Sequence, residues 1–135
     1  MTWLQDIAWQ LNQSTLAIGF SNTSTAARNI YVQNRPSTGG SCIVLYPYAG
    51  RVPEWTNDRK RTARPRLNVL IISTANDGGF SKSLDVITCL DKVVNTKLAP
   101  SYVSYRAIEA LQEPEWLGKD ENGYGNFVIN FQVIY

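Results

Sequence analysis

No histidine occurs anywhere in the chain. That removes the side chain most used for acid–base catalysis and metal ligation near neutral pH. Two cysteines are present, Cys42 and Cys89, 47 positions apart. Without histidine such a pair makes no zinc site. Both sit inside apolar runs, Ser41-Cys-Ile-Val-Leu45 and Val86-Ile-Thr-Cys-Leu90, where a free thiol behaves as a small hydrophobe. No G-x-S-x-G elbow and no glycine-rich phosphate loop is found. Long apolar runs are also missing, and none approaches the ~18 residues needed to span a bilayer. The opening segment Trp3–Leu11 is interrupted by Gln5, Asp6 and Gln10, unlike a secretory signal, which points to folding in a cytoplasm. The adjacent carboxylates Asp120 and Glu121 belong to Asp-Glu-Asn-Gly, whose chemistry is that of a turn rather than of an acid–base pair. These absences disfavour an enzyme, and no cofactor or metal is expected.

The 135 residues, 44% hydrophobic and 18% charged, suit one soluble domain spanning 1–135. Residues 2–17 read as an amphipathic helix. Thr2 and Gln5 have capping-box spacing, and Leu4, Ile7, Ala8 and Leu11 recur at helical period. Trp3 and Trp9 lie beside that stripe and are free to meet another surface. Asn29–Asn34 and Ser41–Tyr48 read as short strands, expected to pair antiparallel across the turn formers of 35–40. Arg66–Ser73 is apolar on both alternating faces, as in a central strand. After Asn76-Asp-Gly-Gly79 a second helix is expected over Phe80–Leu98, with Leu84, Ile87, Leu90 or Asp91, and Val94 at its period. Gly78 and Gly79 read as its starting turn, with anion binding at the helix N-terminus the weaker alternative. Tyr102–Gln112 and the closing segment from Phe127 complete the strands. Phe127, Ile129, Phe131, Val133 and Tyr135 form one apolar face. The class is α+β: a mainly antiparallel or mixed sheet of four to five strands carrying two principal helices.

Positive charge is concentrated in one stretch. Arg51, Arg59, Lys60, Arg61, Arg64 and Arg66 face only Glu54 and Asp58 there, a balance of +4 in a chain of net +2. Residues 49–65 have no obvious structure of their own and read as a long basic inter-strand loop. Loops that long are usually functional or ordered on binding. Such a cluster either engages phosphates or an acidic protein surface, or simply solvates the chain. Trp55 within it, with Trp9 and Trp116, is a candidate interface anchor, packing back onto the domain being the competing role for each.

The ending Trp116-Leu-Gly-Lys-Asp-Glu-Asn-Gly123, followed by Phe127-Val-Ile-Asn-Phe-Gln-Val133, resembles that of the tail-terminator family of long-tailed bacteriophages, also labelled tail-completion or minor capsid proteins. The order of Ile30-Tyr-Val32, Cys42-Ile-Val-Leu-Tyr46, a long loop and Arg64-Pro-Arg-Leu-Asn-Val69 is similar too. This resemblance implies a virion structural protein of the tail or neck. It would form a hexameric ring of itself on the last ring of tail tube protein, stop tube polymerisation and offer a surface to the head-side connector or stopper protein. Genomic DNA would pass through the lumen without sequence readout, touched by inward-facing Arg51, Arg59, Lys60, Arg61 or Arg64. Lys119 and Tyr124 stand where similar proteins often have arginine, so an arginine contact at that hairpin does not carry over. Two alternatives remain: a head-closure or head–tail connector subunit, and a small non-specific nucleic-acid-binding accessory protein. No membrane association is expected.

Overall fold

The computed structural model describes residues 2–13, 30–33, 42–55, 61–73, 78–99, 101–119 and 123–135, with the backbone alone at residues 2, 12–13, 49–55, 61–62 and 78–79. Helix α1 spans Thr2–Gln13 and helix α2 Gly78–Asp91. The strands are β1 Ile30–Val32, β2 Cys42–Trp55, β3 Arg61–Ser73, β4 Val94–Leu98, β5 Val103–Ala110, β6 Glu115–Lys119 and β7 Gly125–Ile134. They form one seven-stranded sheet in the order β1-β2-β3-β7-β5-β4, with β6 also paired to β7. The α+β class holds, but the sheet is wider than the four to five strands expected.

Period-2 alternation sorts the sheet into two faces. Ile43, Leu45, Leu67, Val69, Ile71, Phe127, Ile129, Phe131 and Val133 share one buried cluster with both helices. The apolar face expected for β7 is therefore buried as far as Val133, with Tyr135 half-buried at its end. Central placement of β3 is also seen, between β2 and β7. The opposite face carries a smaller cluster of Cys42, Val44 and Ile72, with Tyr31, Tyr46, Leu70 and Tyr124 packed against it. The two cysteines are buried thiols outside any disulfide, in separate clusters, one on each face.

Helix α1 buries Leu4, Ile7, Ala8 and Leu11, the stripe read from its sequence, and it buries Trp3 as well. It packs against β1 and β2 at one side of the sheet and against β4 at the other, so the sheet curls around it. Residues 14–17, the expected end of this helix, lie outside the described residues.

Four expectations are corrected. Strand β1 runs parallel to β2, with Ile30 opposite Ile43 and Val32 opposite Leu45. Alternation reads the same in both directions along a chain, so it could not set strand polarity. The second helix stops at Asp91, and Val94–Leu98 is strand β4. Val93, Val94 and Thr96 are β-branched, and Asn95 adopts φ 48°, which no helix accommodates. The buried side of α2 is Ser83, Val86, Cys89 and Leu90, leaving Leu84 exposed and Ile87 half-buried. The stripe is rotated because α2 must meet both α1 and the sheet.

The largest correction concerns 49–65. Strands β2 and β3 continue through most of it as an antiparallel ribbon, with Arg51 opposite Arg64, Glu54 opposite Thr62 and Trp55 opposite Arg61. Two register shifts, between Tyr48 and Arg51 and between Arg51 and Glu54, put extra residues on β2. Bulges of this kind bend and twist a ribbon. The second shift also suits Pro53, which cannot donate to a regular ladder, whereas Pro47 pairs with Leu67 ahead of the first shift. Prolines, glycine and charge hid these strands from a reading by periodicity.

Candidate functional site

Three features outside the main core could carry function: the ribbon, an apolar groove beside α2, and a buried polar cluster that holds the curl of the sheet.

The ribbon is a continuation of the sheet centre. Strand β3 pairs with β7 as far as Arg66 opposite Gln132, and reciprocal hydrogen bonds between Ala63 and Tyr135 (2.6 and 3.0 Å) extend the contact. Beyond that point β3 pairs with β2 alone. On the other edge, β2 meets β1 only through Leu45, to whose carbonyl Gln33 N–H also donates at 2.8 Å. From Tyr46 to Trp55 the outer edge of β2 has no strand partner among the described residues. Of the basic residues expected to contact DNA or a partner, Arg51 lies on β2 and Arg61 and Arg64 on β3, so the ribbon brings these three together. Arg59 and Lys60 lie outside the described residues. Arg64 and Arg66 are two apart on β3 and thus share a face, with Arg51 in register opposite Arg64. Like charges set opposite each other destabilise a two-stranded ladder. Trp55 is the last residue of β2.

The groove, of about 500 Å³, lies between α2 and the chain joining β5 to β6. Phe80, Leu84 and Ile87 come from one face of α2, and Ala110, Leu111, Gln112, Glu113 and Pro114 from the other wall. Phe80, Leu84 and Leu111 are each between two fifths and one half exposed. Next to it Trp116 is 51% exposed. Its ring lies on Phe127 (centroids 5.0 Å apart, 57° between planes), and Phe80 meets Phe127 from the other side at 6.2 Å. The indole also covers Gly125, where an added Cβ would approach its ring to 2.9 Å. Trp116 is thus a surface residue seated on the core, and Trp9 on α1 is half-buried.

Asp6 was passed over in the sequence as a polar interruption of α1, yet it is fully buried. Its carboxylate accepts hydrogen bonds from the Ser101 N–H (3.1 Å), the Ser101 hydroxyl and the Tyr105 hydroxyl (2.5 Å). Ser101 Oγ in turn accepts from Val103 N–H at 3.2 Å. The cluster ties α1 to the β4–β5 turn, where Tyr102 is held at φ 58°. No local signal marks it, because the partners are about 95 residues apart. Burial pushes the Tyr105 hydroxyl above its usual value near 10, and the hydrogen bond to Asp6 and the nearby Asp6 and Tyr135 charges add to this. A raised folded-state value means that the protonated form is stabilised by folding. That stability is complete below pH ~10 and declines as pH rises above it. Denaturant titrations from pH 8 to 11 are therefore expected to show a falling alkaline limb that Tyr105→Phe flattens.

Among the described residues no group of three or more His, Cys, Asp or Glu side chains could hold a metal ion, and no helix is long and apolar enough to cross a membrane.

The family model for bacteriophage tail terminator proteins matches residues 15–135. The chain belongs to the bacteriophage tail terminator family. No curated protein matches it. Among solved structures, a chain from the virion of a native gene transfer agent particle superposes with a TM-score of 0.60 at 14% identity, covering 95% of this chain and 90% of that one. The two share a fold. A second solved chain, 18% identical, covers 100% of this chain and 96% of its own at a TM-score of 0.41, too low to carry an argument. For a tail terminator, then, the ribbon and groove are surfaces to be read as parts of an assembly.

Proposed function

We propose that this tail terminator works by assembly rather than by catalysis: copies close into a ring, six being the expected number, on the last ring of tail tube protein. The ring blocks further tube growth, turns its other surface to the head-side connector or stopper protein, and leaves a lumen through which genomic DNA passes without sequence readout. The observation that carries the reading is the family match over 15–135. The ribbon edge that no described strand pairs with and the exposed apolar groove support it, since surfaces of both kinds favour association. Closure into a ring also requires two different patches on one chain, and these two surfaces are the candidates for them.

Electron microscopy and mass measurement of the chain with tail tube subunits test the proposal. Wild-type protein is expected to give tubes of defined end structure carrying a ring. Replacing Arg59, Lys60 and Arg61 together by Glu is expected to leave the far-UV spectrum and unfolding midpoint unchanged while the capped fraction falls. A chain that stays monomeric and never caps a tube refutes the ring.

A further inference from the structure

Building on the ring reading, we infer that the contact which closes it seats the β4–β5 turn of one copy, led by Tyr102, in the groove of the next copy between α2 and the β5–β6 connection.

Three observations carry this. First, the turn is built rigidly around a side chain turned to the outside. Tyr102 is held at φ 58°, a conformation that glycine or asparagine adopts readily and that is an outlier for a bulky residue. Its N–H donates to the Leu98 carbonyl at 2.7 Å, and the neighbouring Ser101 is bound to the buried Asp6 through both its N–H and its hydroxyl. Yet Tyr102 is 67% exposed, and Val103 beside it is exposed as well. Strain at an over-determined position marks function, and an aromatic side chain on a turn ordered in advance loses little freedom on docking.

Second, the groove suits that turn. Its walls are mostly apolar, and Phe80 offers a ring against which a second aromatic can pack. The charges match too. From Val94 to Ile108 the chain carries the exposed Lys97 and Arg106 and no acid. From Glu109 to Gly118 it carries the exposed Glu109, Glu113 and Glu115 and no basic residue, and Glu113 lines the groove itself. Apolar contacts flanked by opposite charges are the composition of a specific protein interface.

Third, turn and groove cannot meet within one copy. Strand β5 lies between them: Tyr102 precedes its first residue, Val103, and the groove wall begins at its last, Ala110. Leu98 opposite Val103 closes the turn, whereas Ala110 stands opposite Phe131 of β7. An extended strand of this length spans about 26 Å. Distinct, complementary patches at the two ends of one strand make a head-to-tail contact, which closes into a ring when the rotation allows.

The test uses the full chain, alone at rising concentration and with tail tube subunits. Tyr102→Gly suits the backbone of the turn, so its unfolding midpoint is expected to stay close to that of wild type while ring formation weakens about tenfold. Oxidation of the Tyr102→Cys/Leu111→Cys variant is expected to give a ladder of cross-linked species beyond the dimer, ending at the ring. Mixing the two single variants should give a dimer, and neither alone any cross-link. Cys42 and Cys89 are buried, so the wild-type chain serves as the uncross-linked control. Lys97→Glu/Arg106→Glu, and separately Glu113→Lys/Glu115→Lys, are each expected to weaken ring formation several-fold, and the four changes together to restore most of it. Normal rings from Tyr102→Gly, or a cross-link formed by Tyr102→Cys alone, overturn this contact while leaving the ring itself standing. Absence of rings in wild-type protein under every condition overturns both. If Tyr102→Gly forms rings normally yet fails to cap tubes, the turn serves the tube and the contact is wrong.

Discussion

Replacing Asp6 by Ala is expected to destabilise the folded chain by about 3 kcal/mol. The side chain is fully buried and is the common acceptor for the Ser101 N–H, the Ser101 hydroxyl and the Tyr105 hydroxyl. Alanine removes the acceptor and leaves the donors in place. The Ser101 hydroxyl can rotate to find another partner, but the backbone N–H and the buried Tyr105 hydroxyl are fixed by their strand and turn. Each buried donor left unsatisfied costs about 1–3 kcal/mol, and the charge-assisted bonds being lost stand at the upper end of the hydrogen-bond range. Part of this is offset because a buried carboxylate no longer has to be desolvated. Asp6→Asn keeps the shape and one acceptor, so its loss should be about half as large. Urea unfolding followed by tryptophan fluorescence measures both, with the slope of the transition unchanged. A loss below about 1 kcal/mol in Asp6→Ala would mean that the cluster is not what holds α1 to the β4–β5 turn. The change matters for assembly too. Helix α1 touches β1 and β2 at one side of the sheet and β4 at the other, so the Asp6 cluster holds the curl that orients ribbon and groove.

Phe131→Ala should cost still more, about 3–5 kcal/mol. Phe131 is fully buried in β7, opposite Leu67 of β3 on one side and Ala110 of β5 on the other. It stands in a strand that α2 packs against, and the surrounding backbone is held by ladders on two sides, so it cannot collapse into the space. A cavity there carries the lost transfer free energy plus the loss of packing around it. For a chain of this size the melting temperature is expected to fall by roughly 10–20 °C. Phe131→Leu, which leaves most of the volume filled, should lose less than half as much. A calorimetric shift of only a few degrees for Phe131→Ala would show that β7 is not the centre of the core. The same substitution at Leu84 is expected to leave stability almost unchanged, since its side chain is already largely exposed.

The candidate surfaces were visible in the sequence to different degrees. The concentration of positive charge over 51–66 is a property of composition and needs no structure to see. Its conformation was not legible, because proline, glycine and like charges are the usual marks of a loop. They also mark an edge ribbon broken by bulges, and only pairing between β2 and β3 separates the two cases. The groove was invisible for a related reason. Leu84 and Ile87 were assigned to the buried stripe of α2 on period alone, and which side of a helix is buried depends on what lies against it.

What the chain's own pattern determined is local. The stripe Leu4, Ile7, Ala8 and Leu11, the doubly apolar Leu67–Ile72 and the alternation Phe127–Val133 each report which side of one element avoids water, and the structure buries all three. The order of such segments in the sequence also resembles that of the tail terminators. Only the tertiary structure decided what requires distant residues to meet. The parallel direction of β1, the early end of α2 at Asp91, the extra strands β4 and β6, and the joining of Asp6 to Ser101 and Tyr105 are all of that kind. Hydrophobic period is carried by neighbours a few positions apart, whereas strand polarity, bulges and buried hydrogen bonds are set by partners tens of residues away.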